Sequence, residues 1–115
     1  TWLLPRLVGR ARALGLAMTG DKLPAEAAER MGLIWQCVDD AAFPAAAQAL
    51  AARLAAMPSR ALAETRRLVD ASAPADLAQA LSWEAQAQGE LGRAHDFAEG
   101  VAAFFAKRSP SFKDR

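Results

Sequence analysis

The sequence contains 115 residues with a mass of 12.2 kDa, enough for one small domain or for part of a larger one. Its 14 basic and 13 acidic residues give a net charge of +1, which argues against nucleic acid and anionic membranes as partners. A single cysteine and a single histidine exclude an internal disulfide and a thiolate or multi-histidine metal site within this chain.

The abundance of alanine and leucine predicts a mainly α-helical fold. The chain has 30 alanines, 14 leucines and no tyrosine. No apolar run approaches the roughly 20 residues that cross a bilayer, so we expect no membrane partner and a cytoplasmic location. The chain starts on the apolar run Thr1–Gly9 without an initiator methionine, and we therefore expect a segment of a longer protein.

In chain order, apolar residues at helical spacing, with Gly and Pro between them, predict six helices. These cover residues 9–19, 24–31, 44–57, the stretch between breaks at 58–59 and 72–74, 75–91 and 96–108. Gly20 and Gly32 stand where a left-handed residue would end the first two helices. The apolar, β-favouring residues 33–38 predict one short extended segment, at most a lone strand. The last helix is expected to begin with a capping box of Asp96 and Glu99.

Three groups of reactive side chains are better explained by structure than by catalysis. Asp39 and Asp40 are sequence neighbours that would point apart, which favours a turn over an acid–base pair. His95 has no evident orienting partner, so we expect a histidine in a surface loop. Cys37 lies in apolar sequence without a basic neighbour, which favours a buried, unreactive thiol.

The final predicted helix carries the pattern with the most functional content. Phe104, Lys107 and Arg108 fall at positions i, i+3 and i+4, which share one helix face. An aromatic ring beside an ammonium suits a nucleotide, with the ring against the base or sugar and the lysine at a phosphate. The alternative places the phenylalanines in the core and lets the basic residues stabilise the helix C-terminus. Spacing alone favours this alternative.

An ordered series of motifs runs through the whole chain. The motifs are Thr1–Gly9, Ala17–Gly20, Ala25–Ala28, Gly32–Ile34 with Val38, and Glu99–Phe112. Their order resembles the second half of proteins of the enoyl-CoA hydratase/isomerase (crotonase) superfamily. The resemblance implies the C-terminal helical segment of a crotonase-like ββα-superhelix, an α/β fold. In it, residues 1–40 would end the crotonase core and residues 41–115 would form a helical oligomerisation and CoA-contact region.

The resemblance also implies where the functional residues lie. The family's oxyanion hole and acid–base carboxylates fall in its first half, so we expect the catalytic residues upstream of Thr1 and none in this chain. A phenylalanine and a lysine of the family's terminal helix contact the CoA of a neighbouring subunit, and they match Phe104 and Lys107. Trp2 and Trp35 are candidates for lining the acyl pocket, although packing against the rest of the fold is the favoured role for such large aromatics.

The activity implied by the resemblance is proton transfer around a thioester enolate, with CoA as part of the substrate and no metal or other cofactor. Homotrimers, often paired into hexamers, are expected, and this segment alone is expected to be inactive. Thr1–Trp2, Gly32–Gln36 and Val38–Asp40 resemble the subgroup of ring-1,2-epoxyphenylacetyl-CoA isomerases of phenylacetate breakdown. A general enoyl-CoA hydratase and a stand-alone helical interaction module are the open alternatives.

Overall fold

The structure is a computed structural model that describes residues 1–114, which contain seven α-helices and no strand. The helices are α1 (Leu3–Val8), α2 (Arg10–Thr19), α3 (Ala25–Arg30), α4 (Phe43–Ala55), α5 (Ser59–Ser72), α6 (Leu77–Leu91) and α7 (His95–Phe105). The prediction of a mainly α-helical segment is therefore confirmed. None of these helices combines the length and the apolar character needed to span a membrane.

The chain divides into two compact units, the first covering Thr1–Ala46 and the second beginning at Ala47. In the first unit α1 packs against α2. α1 is not among the predicted helices, although Pro5 is compatible with it because the first-turn amides of a helix have no helical acceptor. The predicted end of α2 is confirmed, since Gly20 adopts φ +67° and its amide donates to the Leu16 carbonyl.

α3 also ends as the sequence predicts, but the segment after it does not form a strand. Gly32 has φ +77°, and the Leu33 amide reaches back to the Ala28 carbonyl at 2.9 Å, as in a Schellman cap. Residues 33–35 then bend, and residues 36–39 run on without a ladder partner. The absence of a strand agrees with the prediction of at most one short extended segment at 33–38, because β-propensity gives a strand only where another strand accepts its hydrogen bonds.

In the second unit α5 packs against α6. Pro58 precedes α5 in extended conformation, in agreement with the predicted break. α6 begins two residues later than predicted because Asp76 takes the N-cap position, where its carboxylate accepts the Gln79 amide at 2.8 Å. α4 differs from its predicted bounds of 44–57 by two residues at most.

The start of α7 corrects two predictions. Ala94 is the N-cap residue and makes no side-chain cap, so the capping box of Asp96 and Glu99 does not form. Both carboxylates instead accept hydrogen bonds from residues that follow the helix. His95 is exposed as expected, but it is the first residue of α7 rather than part of a loop.

Small side chains dominate what the two units bury. Val8, Ala13 and Ala28 are the buried apolar residues of the first unit, and Ala87 and Ala103 are those of the second. Among residues 1–114 no large side chain is fully buried. Large apolar side chains are instead exposed, among them Leu3, Met18, Val69, Leu77, Phe104 and Phe105. Each unit thus leaves apolar surface that a closed core would cover.

Candidate functional site

The candidate site lies where α7 ends. The helix stops at Phe105, and Lys107 adopts φ +50°, the one positive φ of a non-glycine residue among residues 1–114. The Lys107 amide donates to the Phe104 carbonyl at 3.2 Å, and the Arg108 amide donates to the Ala103 carbonyl at 3.1 Å. These two bonds define a Schellman cap in which lysine occupies the position that usually holds glycine.

This cap corrects the expectation that Phe104, Lys107 and Arg108 share a helix face. Because α7 ends at Phe105, only Phe104 belongs to the helix, and the two basic residues follow it in a turn. The turn nevertheless keeps the two residues together, because the Lys107 amide donates a hydrogen bond to the Phe104 carbonyl. Glycine is the usual sequence signal for such a cap, and its absence here explains why the predicted helix ran on to residue 108.

Phe104 and Lys107 both face solvent, but in different chemical settings. The Phe104 side chain is 78% exposed and packs edge-to-face on Phe105, with ring centroids 5.7 Å apart. Lys107 is exposed, and its ammonium has no hydrogen bond or ion pair with any residue in 1–114. The end of α7 therefore presents an aromatic ring and an unpaired positive charge within one turn of chain.

Arg108 has a partner inside the chain. Its guanidinium donates two hydrogen bonds to the Glu99 carboxylate, at 2.6 and 2.8 Å, and the Ser111 amide adds a third at 2.7 Å. Arg108, followed by the Ser111 amide, lowers the pKa of Glu99 from an ordinary 4.5 to about 2. Arg108 is thus committed to an internal ion pair, in contrast to Lys107.

A second carboxylate, that of Asp96, binds residues 113 and 114, which follow α7. Asp96 is buried and accepts hydrogen bonds from the amides of Lys113 at 2.7 Å and Asp114 at 3.1 Å, while its own amide donates to Asp114. Burial disfavours the charged form of Asp96, but these bonds and His95 at 3.1 Å outweigh it and lower the pKa. His95, Asp96 and Asp114 lie close enough to resemble metal ligands, yet their donors and acceptors already satisfy one another.

Beside these anchors lies an apolar groove of about 440 Å³ within the second unit. α7, the start of α5 and the residues after α7 form its walls. The residues lining it include Phe97, Gly100, Val101, Phe104, Phe105 and Phe112. Phe112 lies over Gly100, where a β-carbon would come within 3.7 Å of the ring. Sequence periodicity could not find this groove because Phe112 lies outside any helix.

The first unit contains a separate, polar cleft around Cys37. Glu26, Glu29, Asp39 and Asp40 line it together with the thiol, and Glu29 accepts the Cys37 amide at 3.1 Å. Partial burial and then the neighbouring carboxylates raise the pKa of the Cys37 thiol. The prediction of an unreactive thiol agrees with this, although Cys37 is half-buried rather than buried. Asp39 forms the predicted turn, since its carbonyl accepts two backbone amides.

Comparison with known proteins decides the family. The sequence model of the enoyl-CoA hydratase/isomerase family matches residues 1–115. The chain belongs to the enoyl-CoA hydratase/isomerase family. The resemblance inferred from the ordered motifs is thereby confirmed.

Individual members of the enoyl-CoA hydratase/isomerase family give the extent of the match. A probable enoyl-CoA hydratase of Rhodobacter capsulatus is 49% identical over the whole chain, which covers 45% of that protein. The 1,2-epoxyphenylacetyl-CoA isomerase of Escherichia coli is 46% identical over 97% of the chain and 43% of its own length. An enoyl-CoA hydratase crystal structure from Bacillus anthracis superposes with a TM-score of 0.92 at 30% identity, over 99% of this chain and 44% of that one. The chain thus spans less than half the length of these relatives.

The two tryptophans assigned to a family acyl pocket are exposed, Trp2 to 61% and Trp35 to 75%. The Arg6 guanidinium stacks 4.0 Å from the Trp2 ring centroid and donates to the Trp2 carbonyl. Such exposure suits aromatics that pack against a further part of the enoyl-CoA hydratase/isomerase fold. A role in the acyl pocket stays a prediction for both.

Proposed function

We propose that the chain is the C-terminal segment of an acyl-CoA isomerase or hydratase, and that its Lys107 turn binds the CoA part of the substrate. One observation carries this proposal: an exposed Phe104 ring precedes an exposed Lys107 ammonium, which has no partner among residues 1–114, in a turn whose backbone is fixed. CoA offers the matching chemistry, since it combines a flat adenine ring with several phosphate groups. The ring would stack on Phe104 and a phosphate would pair with Lys107.

The proposed reaction belongs to the complete protein. Charge that develops on the thioester carbonyl would be stabilised by an oxyanion hole, while carboxylates move the proton of the enolate. We place these groups upstream of Thr1, so the 115-residue segment alone should not turn over substrate. Because a closed ring of subunits brings unlike surfaces together, a trimer would let one subunit's α7 reach the CoA of the next.

For the substrate, we favour ring-1,2-epoxyphenylacetyl-CoA, which would be isomerised to an oxepin-type product. The similarity to the Escherichia coli isomerase supports this choice, and the similarity to the Rhodobacter capsulatus relative supports hydration of a 2-enoyl-CoA as the second candidate. Assays of the complete protein with both thioesters separate them. Turnover of the ring epoxide alone supports the isomerase, and hydration of the enoyl thioester alone contradicts it.

Charge reversal at Lys107 tests the CoA contact directly. We expect Lys107→Glu to weaken CoA binding by about tenfold or more, because a phosphate partner becomes a repelling carboxylate. Isothermal titration calorimetry of the complete protein with CoA measures this change in affinity. Lys22→Glu is the matched control, since it makes the same charge change at an exposed lysine of the other unit. Equal weakening by both variants, or no effect of Lys107→Glu, contradicts the proposal.

A further inference from the structure

The conformation of Lys107 requires an explanation that CoA binding does not supply. A left-handed backbone is sterically unfavourable for a non-glycine residue, and such residues persist only where their surroundings hold them. The helix fixes the chain before Lys107, because the Ala106 amide still donates to the Ala102 carbonyl. After Lys107, the Arg108 amide holds the chain on the Ala103 carbonyl, and the Arg108 side chain adds the ion pair with Glu99.

We infer that Glu99 is a positioning residue for CoA binding, which it serves through Arg108 by holding the turn that presents Lys107; this rests on the proposed function. Glu99 lies nine residues before Arg108 and accepts two hydrogen bonds from its guanidinium, which also donates to the Ser109 carbonyl at 3.1 Å. The same carboxylate receives the Ser111 amide, so one side chain holds the chain at two points beyond Lys107. Lys107 is therefore fixed on both sides by contacts that do not involve its own side chain.

The residues after Ser111 reinforce this arrangement. Asp96 accepts the amides of Lys113 and Asp114, and Phe112 lies over Gly100 between the two carboxylate anchors. Residues 111–114 thus run back along α7 and are held by Glu99 at Ser111 and by Asp96 at Lys113 and Asp114. Release of the turn at Arg108 would require the Glu99 anchor to break, but not the Asp96 anchor.

The ion pair also decides which cation is left for a ligand. Glu99 has 15% of its side chain exposed and is fully engaged by Arg108 and Ser111. Arg108 is therefore held inside the chain, and Lys107 is left with no partner among residues 1–114. Glu99 and Arg108 thus control the direction of the Lys107 ammonium without contacting CoA.

A double-mutant cycle on the complete protein, with CoA as the probe, tests this inference. Glu99→Gln is expected to weaken CoA binding about three- to tenfold, and the pair Glu99→Gln with Lys107→Ala should bind no more weakly than Lys107→Ala alone. Such non-additivity arises only if Glu99 acts through Lys107. Glu64→Gln is the control, because it breaks an equivalent bidentate pair with Arg67 on α5. Circular dichroism checks that each variant keeps its helices.

The outcomes separate this inference from the proposed function. If Lys107→Ala leaves CoA binding by the complete protein unchanged, or the complete protein does not bind CoA, the proposed function fails and the inference fails with it. If Lys107→Ala weakens binding while Glu99→Gln has no effect, or if their effects add, only the inference fails. Should Glu99→Gln lose its helices, Arg108→Met takes its place in the cycle, with the same expected non-additivity and the same contradicting result.

Discussion

At the scale of single residues, the end of α7 depends on two neighbouring cations with opposite roles. Arg108 forms an internal ion pair with Glu99. Lys107 adopts a left-handed backbone conformation, and its ammonium, which has no partner among residues 1–114, can bind a ligand. Arginine suits the first role because its planar guanidinium meets a carboxylate with two parallel bonds. Lysine suits the second, since a flexible point charge can follow a phosphate.

The strain at Lys107 predicts a gain in stability when glycine replaces it. Lys107→Gly should raise the free energy of unfolding by about 0.5–1 kcal/mol, because glycine adopts positive φ without steric cost. The same variant should weaken CoA binding, since the ammonium is lost. Urea unfolding measures the first effect. Gly32→Ala is the converse control: Gly32 holds the same cap position after α3, with nothing within 4 Å of its would-be β-carbon, and should lose stability. A lower free energy of unfolding for Lys107→Gly than for the unmodified chain would contradict the claim that the backbone at Lys107 is strained.

At the scale of elements, spacing located most helices but not the contacts made across long sequence distances. Gly20 and Gly32 mark the ends of α2 and α3 because glycine is the residue that a left-handed cap favours. The capping box at Asp96 failed for a different reason: amides seventeen and eighteen residues later compete for the same carboxylate. Local pattern cannot reveal such a competitor. The turn at Lys107 was missed for another reason, since lysine stands where glycine would mark the cap.

The two carboxylate anchors predict a specific loss of stability in acid. The pKa of Glu99 is about 2 in the folded chain against an ordinary 4.5, so its contribution is complete above about pH 4.5 and disappears as the pH falls towards 2. Asp96, whose pKa is also lowered, acts with the same sign. The midpoint temperature of thermal unfolding should therefore fall more steeply between pH 4.5 and pH 2 for the unmodified chain than for Glu99→Gln. If the midpoint temperatures of the two proteins fall equally with pH, the ionised Glu99 carboxylate does not stabilise the fold as proposed.

At the scale of the whole molecule, the exposed apolar side chains agree with the finding that the chain spans less than half the length of its relatives. Trp35, Met18, Leu77 and Phe105 are all at least three-quarters exposed. A surface of this kind marks an interaction site or a face that further structure covers. The family motifs in the sequence predicted this, because they match only the second half of the family pattern.

Self-association of the isolated chain follows from these exposed residues. Because apolar surface is withdrawn from water when copies meet, the mass in solution should exceed 12.2 kDa and rise with concentration. Light scattering over a range of concentrations measures it. A compact monomer at every concentration would contradict the view that further structure normally covers this surface.

The most direct test of the CoA contact is an amide NMR titration of the complete, deuterated protein with CoA, resolved residue by residue. We expect the amide signals of Phe104, Lys107 and Arg108 to shift and to saturate together. Signals around Cys37, in the polar cleft of the first unit, should stay in place. Absence of shifts at the end of α7, or shifts around Cys37 without shifts at the end of α7, would contradict the proposed CoA contact.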